Sequence, residues 1–274
     1  MNWLESLVYG LISGITEFLP ISSFAHQRIL LKLFGVNAAD PVQDLLVHLA
    51  LLASLLIGCR NLIEQLRRGQ HLRNNNRRGV RGNSDVLELR FLKNAVLPLL
   101  IGYFVLLNCF KVGDGLIWIT LFSFINALLL FIPSRMMQGN KDERSMSILD
   151  SVTVGLSGAF SVFPGISRIA AMLAAASARG IDRRKAVDWA LLLSIPALML
   201  LSVADIINIF SAAGRVQITG TVLGYIFSAI GAYAAGYAGV LLIRSIATNK
   251  DYSGFSFYAL GVMLFSLFLY LSVV

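Results

Sequence analysis

Residues 13–30 read SGITEFLPISSFAHQRIL and residues 163–172 read FPGISRIAAM, both inside otherwise apolar sequence. The first stretch gathers Glu17, Ser22, Ser23, His26 and Arg28, and the second supplies Ser167 and Arg168. An unpaired carboxylate at the centre of a membrane costs about 2.5–3.5 kcal/mol. Glu17 therefore reads either as a solvated group near the interface or as a functional one, a general base or a ligand to a divalent cation. One of Ser22 and Ser23 suits the cap of a restarting helix. The other suits nucleophilic chemistry, which needs a base within hydrogen-bond reach. His26 lies three residues beyond Ser23, on the same helical face, and its imidazole could be that base, although a lone histidine in an apolar helix also suits a structural role. A guanidinium at a helix break calls for an anion, and phosphate matches its fork. Arg168 reads as a phosphate ligand or as the ion-pair partner of Asp44 or Asp188. Asp44 and His48, four residues apart, could hold a cation together or hydrogen-bond each other. Glutamate, serine, histidine and arginine around two breaks fit phosphate-ester chemistry on a lipid. The chain has no repeated ring or filter motif of a channel, and it has too few intramembrane carboxylates for a proton pump.

Such groups must be held by membrane helices. The chain has 274 residues, 57% hydrophobic and 14% charged, with a mean hydropathy of +0.73. Soluble domains average about 45–50% apolar and about 25% charged residues. The excess falls in blocks near the roughly 20 residues that cross a bilayer, and no polar stretch is long enough for a soluble domain. Six segments read as spanning helices: 45–59, 94–110, 116–133, 189–212, 219–243 and 255–274, the first extending back through PVQDLLVHL. Residues 4–34 and 152–178 are apolar but broken. Proline removes a backbone donor and disfavours helix in the residue before it, so Pro20 and Pro164 mark the breaks. Irregular backbone at membrane depth needs burial in protein or a polar cavity, which makes both regions re-entrant helix–break–helix elements. The expected fold is an all-α polytopic membrane protein, a single membrane domain over 1–274.

Charge sets the expected orientation. Residues 60–93 hold nine Lys and Arg against three acids, as a cytoplasmic loop facing anionic headgroups does. The absence of interleaved aromatics argues against nucleic acid, despite the net charge of +8. From this loop outward, both termini fall outside, the first broken element enters from the external side and the second from the cytoplasmic side. The opening MNWLESLVYG lacks the basic segment of a cleaved signal peptide. Cys59 and Cys109 offer no disulfide framework and no metal-ligand spacing. At an offset of 144, Ser13 matches Ser157, Gly14 Gly158, Pro20 Pro164, Ser23 Ser167 and Asp44 Asp188. This suggests an inverted repeat, 1–133 against 134–274, an arrangement that places a site at the midplane.

At these residues the sequence resembles the undecaprenyl pyrophosphate phosphatase family, the bacitracin-resistance membrane proteins. That family carries motifs like E-G-x-T-E-F-L-P-[VI]-S-S-T-G-H and P-G-x-S-R-S-x-x-T, which read here SGITEFLPISSFAH (13–26) and PGISRIAAM (164–172). QDLLVHLALLASLL (43–56) and RGIDRRKAVDWALLLSIPALM (179–199) extend the likeness along most of the chain. The resemblance implies six spanning helices with two oppositely inserted re-entrant elements. It also implies hydrolysis of a polyprenyl (undecaprenyl) diphosphate carrier to its monophosphate, for carrier recycling in peptidoglycan and cell-envelope synthesis. The setting would be the bacterial inner membrane, at an externally open site, with a divalent cation (Mg2+ or Ca2+) and a possible homodimer. Carried over by position, Glu17, Ser23 and His26 are catalytic, Glu17 also a metal ligand, and Ser22, Ser167 and Arg168 bind phosphate. The chain departs at Ser13, where the family has the first glutamate, and at Phe24, Ala25, Ile169 and Met172; Gly158 stands where the family often has glutamine. Losing one of two carboxylates weakens a cation site, because hard cations want several oxygens. Two other readings stay open: a non-catalytic polyprenyl-phosphate transporter on the same fold, and a phosphatase for another lipid phosphate.

Overall fold

The structure, a computed structural model, describes residues 1–36, 40–74, 84–110, 113, 115–135, 139–141, 144–211, 220–249 and 252–273. Its α-helices in chain order are α1 (Trp3–Phe18), α2 (Ser23–Leu33), α3 (Pro41–Gly58), α4 (Arg60–Asn74), α5 (Ser84–Cys109), α6 (Leu116–Arg135), α7 (Ile148–Gly158), α8 (Arg168–Ala178), α9 (Arg183–Ser211), α10 (Val222–Asn249) and α11 (Ser253–Val273). Among the described residues, α3, α5, α9, α10 and α11 are long and apolar enough to cross a membrane. The sixth expected span, 116–133, falls within α6, which is apolar over Leu116–Phe131 among the described residues. The stretch 60–93, read from sequence as a loop, is helical over α4 and from Ser84 onward.

Both broken regions fold by the same local rules. Asn2 caps α1, accepting from the Glu5 amide while Glu5 accepts from the Asn2 amide, and Ser147 and Asp150 repeat that capping box on α7. α1 ends at Leu19, extended at φ −89°, ψ 159°, and a 3₁₀ turn after α7 ends at Phe163, extended at φ −78°, ψ 125°. Each is the residue before a proline, where the following ring excludes helical backbone. The chain then restarts as α2 behind a Ser22 cap and as α8 behind a Ser167 cap. The second break contains Gly165 at φ +119°, where an added Cβ would sit 2.6 Å from the Ser123 nitrogen and 2.9 Å from the Ile119 carbonyl oxygen of α6. Only glycine fits there.

The long helices hold these pieces in place. α1 lies along α10, α7 along α5, and α6 along α11, while α3 and α9 pack on each other. α9 runs through the core: Trp189, Leu191, Leu193 and Leu198 are fully buried. The indole of Trp189 stacks on Phe91 at 4.1 Å and donates to Glu88 at 2.7 Å, so its one polar atom is satisfied inside the bundle.

Candidate active site

The two breaks meet. Ser167 donates its hydroxyl to the Leu19 carbonyl at 3.2 Å, joining the cap of α8 directly to the break after α1. Asn126 of α6 bridges both, accepting from the Ser167 amide at 2.9 Å and donating to the Pro20 carbonyl at 3.3 Å. These contacts satisfy backbone groups that the helix breaks leave without intrahelical partners, a necessity away from water.

Beside the crossing lies a cavity of about 350 Å³, lined on one side by Ser22, Ser23 and Phe24 from the start of α2 and on another by Ser167 and Arg168 from the start of α8. Two helix N-termini thus converge on one cavity, an arrangement whose aligned peptide dipoles favour an anion. Arg168 is almost wholly buried and makes three contacts: with Glu17, with Ser194 at 3.1 Å and with Tyr103 at 3.5 Å. These use three of the five N–H donors of a guanidinium, leaving capacity for phosphate oxygens. The partner of Arg168 is therefore Glu17, not Asp44 or Asp188; Asp188 pairs with Arg244 at 3.1 Å.

The serines divide their work. Ser22 accepts from the Ala25 amide and Ser167 from the Ala170 amide, each at 3.3 Å, as caps. Among the described residues, Ser23 makes only a long side-chain contact, 3.4 Å, to the Ser13 carbonyl. It is the cavity serine whose hydroxyl is least committed. His26 is absent from the cavity lining. Its Nδ1 meets the Ser22 carbonyl at 2.6 Å and its Nε2 the Tyr258 hydroxyl at 2.8 Å, with the two rings stacked. A carbonyl only accepts, so Nδ1 carries the proton and Nε2 accepts from Tyr258.

A second polar wall completes the cavity. Tyr9 donates to Asp44 at 2.7 Å, and His48 Nδ1 meets Asp205 of α9 at 2.6 Å. The Asp44–His48 pairing expected from their spacing does not form; each takes a partner on another helix. Tyr103, Asn126, Ser194 and Asp205 carried no motif signal, and only packing reveals them.

The residues present do not fit a resident divalent cation. Glu17 is engaged by Arg168. Ser13, standing where the resembling family has a second carboxylate, is fully buried, donating to the Tyr9 carbonyl at 2.7 Å and accepting from Gln27 at 3.0 Å. Among the described residues, no three His, Cys, Asp or Glu side chains come together as a metal site.

The family model described as "Bacitracin resistance protein BacA" matches residues 6–265. A protein named undecaprenyl-diphosphatase from Carboxydothermus hydrogenoformans is 29% identical over 270 residues, covering 96% of each chain. One of the same name from Synechococcus sp. (strain JA-3-3Ab) is 33% identical over 229 residues, 83% of this chain and 82% of its own. A third, from Thermosipho africanus, is 24% identical over 265 residues, 97% of this chain and 99% of its own.

Proposed function

The chain belongs to the bacitracin resistance protein BacA family, and on that premise we propose that it is a membrane phosphatase acting on undecaprenyl diphosphate. It releases phosphate and returns the lipid monophosphate to cell-envelope synthesis. The observation that carries this reading is the crossing of the two breaks, where Arg168, Ser167 and Glu17 meet beside the cavity. Arg168 and the first turns of α2 and α8 hold the phosphates, a charge-assisted arrangement that strengthens as negative charge develops on the terminal group. Glu17 holds the guanidinium in place until substrate oxygens share it. Ser23 presents its hydroxyl to the reacting phosphate. No step is assigned to a metal.

The fold of this reading is a single domain of two inverted halves with re-entrant elements. Its support is a set of matched contacts. Gly10 of α1 lies so close to Ser228 of α10 that an added Cβ would stand 2.0 Å from that carbonyl oxygen, and Gly155 of α7 stands likewise, 2.1 Å, from Ala95 of α5. α1 with α10 thus mirrors α7 with α5, each through a glycine, as small residues permit in membrane helix pairs. We place the protein in the bacterial inner membrane with both termini external, on the strength of the basic segment 60–93. The cavity then opens outward, because Asp44, Leu107 and Asn208 lie on its lining next to segments assigned outside. Phosphate release from undecaprenyl diphosphate by the purified, reconstituted chain tests the activity. Retention of the diphosphate with transfer across the bilayer would favour the transporter reading instead.

A further inference from the structure

Hydrolysis of a diphosphate by water is accelerated by a group that takes a proton from the attacking water. The chain has three histidines: His26, His48 and His71. His26 has both ring nitrogens occupied by Ser22 and Tyr258. His71 lies on α4 and is absent from the described residues that line the cavity. His48 is the histidine that lines the cavity, in company with Ser23 and Arg168.

Asp205 orients it. The carboxylate meets Nδ1 at 2.6 Å, with the two side chains 17% and 15% exposed. A carboxylate can only accept, so the Nδ1 proton is fixed and the Nε2 lone pair is the one left for substrate chemistry, the orientation logic of a catalytic Asp–His pair. The neighbouring carboxylates have their own partners: Asp44 accepts from Tyr9, and Glu17 holds Arg168. Asp205 sits 157 residues from His48 in sequence, on the facing helix α9, so the pairing is a product of the α3–α9 packing and not of local geometry.

The geometry points to His48 as the general base of this site, with Asp205 as its positioning residue, in the role that the position of His26 suggested for that histidine. The assignment rests on the phosphatase reading. In the step, the water oxygen bonds to the terminal phosphorus and the bond from that phosphorus to the bridging oxygen breaks. The electron pair of the broken bond stays on the lipid monophosphate. The water proton passes to His48 Nε2 and then to solvent, and inorganic phosphate departs.

The test uses the full chain in lipid nanodiscs, with undecaprenyl diphosphate as substrate and phosphate release as the readout. His48→Ala should lower kcat by about a hundredfold or more while leaving KM within about threefold, the range for loss of a general base. Added imidazole should restore about tenfold of that loss. Asp205→Asn should lower kcat by about tenfold, and Asp205→Glu should recover most of it; a merely structural tie between α3 and α9 would give neither the imidazole response nor the kcat-against-KM split. His48→Gln, closer in volume, serves as the second variant, and the thermal midpoint of each is recorded. Turnover by the wild type with kcat of both His48 variants within about threefold would overturn the assignment alone. So would a larger, imidazole-responsive loss at His26→Ala. No release by the wild type would remove the phosphatase reading and this assignment with it.

Discussion

Arg168, the first residue of α8, forms an ion pair with Glu17, in the last turn of α1, across the crossing of two helix breaks. Neither residue has its partner within its own half of the chain. The pair couples the assembly of the two halves to the readiness of the site, because the guanidinium is oriented for an anion only once α1 and α8 are side by side.

Removing one member of such a buried pair leaves the other charge uncompensated, at a cost of about 3–5 kcal/mol. Arg168→Ala and Glu17→Gln should each lower the thermal midpoint, and Arg168→Ala should also abolish phosphate release. Arg168→Lys should not restore it, since a point charge cannot reproduce contacts to Glu17, Ser194 and Tyr103 together. A double-mutant cycle on the midpoint, with the double variant less damaged than the sum, checks the coupling.

Asn126→Ala should destabilise the fold by about 1–3 kcal/mol, because it strands the Ser167 amide and the Pro20 carbonyl at once. Phosphate release should fall with it, as the two breaks lose their common bridge. Asn126→Asp retains the acceptor for Ser167 but not the donor for Pro20, and should fall between wild type and alanine in both denaturation and turnover.

Gly10→Ala and Gly155→Ala should be similarly harmful, each pressing a methyl group onto a facing carbonyl oxygen. Overpacking of this kind costs about 1–3 kcal/mol, and thermal unfolding in detergent measures it. A large effect at one site with none at the other would separate the two helix pairs that the inverted-halves reading treats as equivalent.

Ser13→Glu places a second carboxylate where the resembling family has one, and combining it with Gln27→Ala removes the side chain now bonded to Ser13. Phosphate release by the wild type should respond weakly to added Mg2+ or Ca2+, and the double variant should respond more steeply, since hard cations gain from each added oxygen ligand. Titration of either ion against initial rate decides it.

Much of this was legible in the sequence for local reasons. Pro20 and Pro164 dictate the extended residues before them, so both breaks were placed at the prolines; that Ser22 and not Ser23 caps α2, and that Ser167 caps α8, came only from the structure. Span positions followed from hydropathy, and the expected span 116–133 falls within α6. The helix α4 was hidden because a polar, basic stretch gives no apolar run to read. The pairings of Arg168 with Glu17, His48 with Asp205, and Asn126 with both breaks join residues 41 to 157 positions apart. No periodicity encodes such contacts; they arise when α3 packs on α9, α6 on α8, and the break after α1 meets the start of α8. His26 belongs to the same motif as the cavity residues Ser22 and Ser23, and in the structure its ring stacks on Tyr258 outside the cavity lining.

The most direct measurement is release of inorganic phosphate from undecaprenyl diphosphate by the reconstituted wild type, beside Arg168→Ala that still folds. Steady turnover is expected of the first and loss of it in the second. Absence of turnover by the wild type, or equal turnover by both, would contradict that expectation.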